Sequence, residues 1–255
     1  MKIEFLGAYG GSTKVNYLTS FFVDECLAID AGCLTQTLSL ERQTHISDIL
    51  ISHTHLDHTL SLPFLADNLF DQKELPLRIW ARPEVLRALE AHMFNDIVWP
   101  DFSKLPSAEN PTITFNRLEE EEVATIGHFR VKPVTVNHVV PTTGFFIEST
   151  RSNSCLLYTA DTCTTDRVWE IANNYPNLGA VIVDCSFPNE MEDLAIASGH
   201  MTPKLMARDL AKLKKDCKVL VYHIKPVFTQ QMHAEIAALG DKRIIVDIQS
   251  KTFTI

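Results

Sequence analysis

Residues 48–58, DILISHTHLDH, constrain the chain more than any other stretch. The apolar run 49–51 reads as a buried strand that leads into His53, Thr54 and His55, and the two-residue period of a strand turns His53 and His55 to the same side. Asp57 and His58 follow where the backbone must leave the sheet and turn toward a helix, so their side chains reach a neighbouring position. Three histidines and a carboxylate within residues 53–58 are a poor choice for a purely structural strand end, because buried imidazoles and carboxylates cost free energy unless each finds a partner. The segment is read as ligands for two metals, and the fold must bring more ligands to the same place.

Three other polar residues sit at the ends of apolar runs: His138 after 129–136, Asp161 after 155–160 and His223 after 218–222. Alone, each has an ordinary explanation, a satisfied histidine or a turn carboxylate. Beside HTHLDH they become ligand candidates, provided these runs are strands of packed sheets whose ends converge on one edge. The chain has the material for such sheets. Short β-type runs recur at 2–6, 20–23, 26–29, 48–52, 77–80, 112–115, 122–126, 128–136, 144–148, 154–158, 180–184, 218–222 and 243–246. Helical patterns lie at 61–70, 83–92, 165–174, 203–215 and 229–239, the fourth with Thr202 as N-cap and Pro203 at its first position. No Gly/Ser/Pro-rich linker divides the chain, so 1–255 reads as a single α/β domain with two packed sheets. The segment 95–111, with Pro100, Pro106 and Pro111, reads as an irregular excursion on the substrate side that carries Trp99 and Phe102, or as a surface loop with a hydrophobic anchor. The acidic run 119–122 reads as a solvated turn.

Composition narrows the function. With 23 Lys+Arg against 32 Asp+Glu the formal charge is −9, which disfavours a nucleic-acid polymer gripped through its phosphates. No run of about 18 apolar residues exists to span a membrane, and the start MKIEFLGAYGG is unlike a secretory signal. The six cysteines contain no close pair and read as reduced thiols of a cytoplasmic protein.

Taken together, these residues resemble the metallo-β-lactamase fold superfamily, whose HxHxDH motif is matched by His53, His55, Asp57 and His58. The superfamily then has a lone His, a metal-bridging Asp and a last His, and His138, Asp161 and His223 supply them in that order. The likeness covers nearly the whole chain, including LGAYGG at 6–11 and AIDAG at 28–32, and implies a four-layer αββα sandwich with the site at one edge of the two sheets. Within the superfamily, HTHLDHTLSL at 53–62, FNDIVWPDF at 94–102, DCSFPN at 184–189, SGHMTP at 198–203 and HIKP at 223–226 resemble the class II cyclic-nucleotide phosphodiesterases, with Ser61 a departure where Gly is frequent. Ribonuclease Z is a more distant likeness. It has His-Ser-Thr where this chain has His200, Met201 and Thr202, and its long basic tRNA-gripping arm has no counterpart here.

The resemblance implies that His53, His55 and His138 hold one divalent ion, that Asp57, His58 and His223 hold another, and that Asp161 bridges them. Nitrogen and oxygen ligands without thiolate suit zinc and also admit Mn or Fe. A hydroxide shared by the two ions would be the nucleophile, with Asp57 counted as catalytic as well as a ligand, and the site would carry about +1, which suits a small anionic substrate. A ribose alkoxide needs a proton as it leaves, and His200, in the loop before residue 203, is the candidate donor, where its ordinary alternative is a solvent-exposed loop histidine. Opening a lactone or thioester would need no such acid. Phe64, Phe94, Trp99 and Phe102 are the aromatics available to a nucleobase, with core packing the alternative, and Lys225 either contacts phosphate or is exposed. Lys204, Arg208, Lys212 and Lys215 have the spacing of one solvated helix face. The expected activity is hydrolysis of 3′,5′-cyclic AMP or GMP to nucleoside 5′-monophosphates by a homodimer. The alternatives are another hydrolase of the same fold and a non-catalytic ligand-binding module.

Overall fold

The computed structural model describes residues 1–72 and 75–255, and in it the β-branched and aromatic runs pair into two seven-stranded sheets. The first contains β1 (Lys2–Gly7), β2 (Ser20–Val23), β3 (Leu27–Ile29), β4 (Asp48–Leu50), β5 (Leu77–Ala81) and β6 (Ile113–Arg117). The second contains β7 (Ala124–Ile126), β8 (Phe129–Thr135), β9 (Thr143–Ser149), β10 (Ser154–Tyr158), β11 (Leu178–Asp184), β12 (Lys218–Tyr222) and β13 (Ile244–Ile245), and β14 (Thr252–Thr254) returns to the first. Their orders are β14-β1-β2-β3-β4-β5-β6 and β13-β12-β11-β10-β9-β8-β7. Strands β3 to β6 run parallel, as do β10 to β13, while the remaining neighbours are antiparallel.

Three apolar layers hold the elements together, and the strand period decides which layer each side chain enters. Ile49 and Ile51 face outward, where α1 (Leu34–Thr37), the turn between it and α2 (Leu40–Thr44), α4 (Leu62–Leu69) and α5 (Pro83–His92) cover them with Leu34, Leu38, Leu65 and Leu89. Leu50, between them in sequence, faces the other sheet and meets the layer of Phe5, Phe21, Phe145, Leu156 and Leu220. On the far side, α6 (Arg167–Ala172), α8 (Pro203–Leu210) and α9 (Thr229–Ala237) lay Trp169, Met206 and Met232 over Leu157, Val183 and Val221. The result is the αββα sandwich expected from the sequence. Parallel strands so covered on both faces read as continuous apolar runs, which is why 218–222 and 180–184 showed no alternation.

All thirteen expected strands have counterparts, but β14 was not foreseen: its three residues carry too short a pattern, and its pairing with β1 is long-range. The helices α1 and α2, together with α3 (Leu56–Thr59) and α7 (Glu192–Ala197), are likewise too short to show an apolar period. The expected helix 203–215 stops at Leu210, so its four cations do not share one helical face. Lys212, beyond that end, bonds Asp209 at 2.6 Å and Asp166 at 2.7 Å. The acidic turn is a tie rather than a free loop, for Glu120 pairs with Arg82 and Glu121 takes both forks of Arg167. All six cysteines are free, and no described helix is long and apolar enough to cross a membrane.

Candidate metal centre

Parallel strands send their carboxyl ends to one edge, and both sheets do so on the same side of the molecule. Leaving β4, the chain carries His53 and His55, then turns into α3, which holds Asp57 and His58 in its first turn. From the second sheet, the exits of β8, β10 and β12 carry His138, Asp161 and His223. The backbone turns abruptly at these exits. Asp30 after β3, Ala160 before Asp161 and His223 after β12 have φ of 54°, 54° and 70°, a left-handed conformation that costs a non-glycine residue about 1–2 kcal/mol. The strand directions thus bring together all seven sequence-predicted ligands. They form two sets, His53–His55–His138–Asp161 and Asp57–His58–Asp161–His223, and within each the ligand atoms lie within 4.8 Å of one another. Asp161 belongs to both.

Hydrogen bonds fix which atom of His53, His58, His138 and Asp161 faces inward. His58 Nδ1 lies 2.7 Å from Asp30 Oδ2, and the Ser52 hydroxyl, donating to the same Asp30 oxygen at 2.8 Å, lies 3.0 Å from His53 Nδ1. Tyr158 donates to Asp30 at 2.7 Å, and Tyr222 donates to Asp161 Oδ1 at 2.7 Å. His138 Nδ1 is held by the Gly199 carbonyl at 2.9 Å, an approach that requires glycine because a Cβ there would lie 2.7 Å from the ring. Gly10 is equally constrained: its Cβ would come within 2.7 Å of His223 and 2.8 Å of Lys225 Nζ.

The inward-facing atoms are short of partners. His53 Nε2, His58 Nε2 and Asp161 Oδ2 are buried and make no hydrogen bond, each a cost of about 1–3 kcal/mol if nothing else meets them. Burial, with neighbouring imidazoles, holds His53 and His55 below the usual histidine range. Burial also holds His223 well down, against the pull of Asp161. For His58 burial is overcome by the charges of Asp161 and Asp30, which raise it well above that range. For Asp161 burial is overcome by His223 and His58, which keep the carboxyl well below its ordinary value. Mostly neutral imidazoles around an ionised carboxylate are the form that takes a cation, which would displace the His58 proton. The donor set and its orphaned atoms fit divalent metal ions.

His200 departs from expectation in its setting. It is not a mobile loop imidazole: only 6% of it is exposed, and its Nδ1 lies 2.7 Å from Asp184 Oδ2. Asp184 ends β11 and also accepts from Ser186 Oγ at 2.6 Å and Thr162 N at 3.1 Å. The His200 ring is 5.0 Å from that of His138 and stacks on His223 at 5.0 Å and 19°. Burial works against its protonation, but the Asp184 charge prevails and raises its pKa.

Among the expected substrate contacts, Trp99 is half-buried with its ring edge on half-exposed Phe64, centroids 5.1 Å apart. Lys225 is neither free nor exposed, donating to the Gly10 carbonyl at 2.8 Å with its Nζ 3.4 Å from His223 Nε2. Phe102 is a correction. It is 3% exposed and packs with Phe70 in the helix-covered layer, where it anchors the 95–111 excursion instead of facing a ligand. Phe102→Ala is expected to cost about 3–5 kcal/mol in urea denaturation while leaving substrate affinity unchanged. Phe94 is buried in the same layer. Sequence reasoning missed Asp30, Asp184, Tyr158, Tyr222 and Phe187, the last with its ring 5.9 Å from His200. The signal that singled out Asp161, an acid ending an apolar run, is present at Asp30 and Asp184 as well.

The beta-lactamase superfamily domain matches residues 27–224. The 3′,5′-cyclic-nucleotide phosphodiesterase 1 of Saccharomyces cerevisiae is 25% identical over 291 residues, covering 91% of this chain and 78% of its own. Ribonuclease Z of Archaeoglobus fulgidus is 25% identical over 287 residues, covering 90% and 89%. Of solved structures, unliganded yeast PDE1 superposes with a TM-score of 0.82 at 21% identity over 100% of this chain and 99% of its own. Human tRNase Z, short form, gives 0.70 at 18% identity over 100% and 99%. With two mixed sheets between helices and a cluster of histidines and aspartates, the chain belongs to the beta-lactamase superfamily, as a hydrolase of the metallo-β-lactamase fold.

Proposed function

We propose that this protein hydrolyses 3′,5′-cyclic nucleotides, cyclic AMP or cyclic GMP, to nucleoside 5′-monophosphates. The observation that carries the reading is His200: a buried, carboxylate-held imidazole stacked against one member of a cation-binding cluster and beside another. An ester whose leaving group is a poor one, such as a ribose alkoxide, needs an acid at that place, whereas a lactone or thioester does not. The likeness to a cyclic-nucleotide phosphodiesterase over 91% of the chain supports the same choice.

In this reading His53, His55 and His138 hold one divalent ion, Asp57, His58 and His223 hold a second, and Asp161 is shared. When bound, such ions supply Lewis acidity toward phosphate oxygens and a water acidic enough to attack at neutral pH. Asp184 holds the Nδ1 proton of His200, which leaves Nε2 to give its proton to the 3′-oxygen as the P–O bond breaks. Half-buried Asp57 orients the attacking water. The Lys225 ammonium, fixed by Gly10, offers positive charge to a non-bridging phosphate oxygen, and the exposed side of Trp99 offers a nucleobase a flat apolar surface.

The test is direct. The protein loaded with Zn or Mn is expected to convert cyclic AMP or cyclic GMP to the 5′-monophosphate alone, as read by chromatography. Inactivity on both, together with cleavage of a precursor tRNA, would replace the reading with the activity named for the ribonuclease Z relative.

A further inference from the structure

Two buried tyrosines have no part in the steps above. Tyr158 closes β10 and Tyr222 closes β12; neither has any exposed surface, and their rings lie 5.4 Å apart in the layer between the sheets. Phenylalanine fills such a place without burying a hydroxyl, as Phe21 and Phe145 do nearby. Both hydroxyls are used, however, and each on a different carboxylate: Tyr158 on Asp30 and Tyr222 on Asp161.

The two carboxylates stand differently toward the ligand sets. Asp161 Oδ1 takes the Tyr222 hydrogen bond and lies 3.3 Å from His58 Nε2. That clamp turns Oδ2, which has no hydrogen bond, toward His223 Nε2 at 3.1 Å and His53 Nε2 at 3.7 Å, one histidine from each set. Asp30 holds His58 directly but reaches His53 only through the Ser52 hydroxyl.

Building on the reading of the cluster as a metal centre, we propose that Tyr222 and Tyr158 are positioning residues that tune the two cation sites unequally. Tyr222 orients the shared ligand Asp161 and governs both sites. Tyr158 steadies Asp30, hence His58, and governs the Asp57–His58–Asp161–His223 site above all. Loss of such an outer hydrogen bond typically lowers metal affinity about 10–100-fold.

The experiment titrates the metal-free full chain with Co(II) alone, followed by calorimetry and by the visible absorption of the bound ion, with no substrate present. The wild type is expected to take two equivalents. Tyr222→Phe is expected to weaken both by about 10–100-fold and to alter the Co(II) spectrum, and Tyr158→Phe to weaken one by a similar factor and leave the other unchanged. In an Asp161→Ala background, which removes the acceptor of the Tyr222 hydroxyl, Tyr222→Phe should lower the residual Co(II) affinity no further, a coupling that a merely structural role would not produce. Wild-type isotherms and spectra for Tyr222→Phe overturn the proposal. If Tyr222→Phe does not fold, Tyr158→Phe decides: loss confined to one equivalent supports the proposal, and equal loss at both or none overturns it. A wild type that takes up no Co(II) removes the metal reading and this inference with it. Because cyclic-nucleotide turnover is not measured, failure of the proposed activity is seen separately.

Discussion

Asp161→Ala is expected to lower kcat/KM by about 10³-fold or more and to deplete the protein of both metal equivalents, because this is the one ligand common to the two sets. Removing it also deletes the only carboxylate among the described residues that faces His53, His58 and His223 together. Metal content by mass spectrometry, measured beside kcat/KM, separates this from loss of a single site: His55→Ala should deplete one equivalent, Asp161→Ala both. Wild-type metal content in Asp161→Ala would refute the shared-ligand assignment. Asp161→Asn is the gentler control. It keeps the shape and the acceptor for Tyr222 but removes the negative charge that holds His58 protonated, and it should resemble alanine more than wild type in affinity.

The second large effect is expected at His200, and it should depend on the leaving group. His200→Ala is expected to reduce kcat for a cyclic nucleotide by about 10²–10⁴-fold, the usual contribution of a positioned acid. On bis(p-nitrophenyl) phosphate the loss should be far smaller, since p-nitrophenolate departs without a proton. Equal losses on the two substrates would show that His200 only supports the ring of His223, on which it stacks, and would withdraw the acid role. Metal content should stay at the wild-type level, because His200 belongs to neither ligand set.

The fold and the ligand cluster were legible for one reason: both were written at strand ends. A strand covered on both faces is a short apolar run, and a polar residue closing it stands out, as Asp161 and His223 do, while His138 follows a strand that alternates buried and exposed residues. What stayed hidden depends on contacts between elements distant in sequence. Tyr158 and Asp30 lie 128 residues apart, and nothing local distinguishes a tyrosine whose hydroxyl meets a carboxylate from one that only fills a layer. Phe102 misled for the same cause. In a proline-rich stretch an aromatic reads as available, and only the helix-covered layer beneath it shows that it is occupied. His200 lacks the freedom that its loop position suggests, because its partner Asp184 waits at the end of β11.

The centre straddles the seam between the sheets: His53, His55, Asp57 and His58 come from the first, and His138, Asp161 and His223 from the second. A cation seated there is a rivet through two slabs joined elsewhere by the apolar layer between them and by a few polar ties such as Tyr158 to Asp30. Whatever binds the native state alone stabilises it in proportion to the logarithm of its free concentration. Resistance to heat and to proteases would then track the supply of free metal, making the persistence of this chain a gauge of what its surroundings provide.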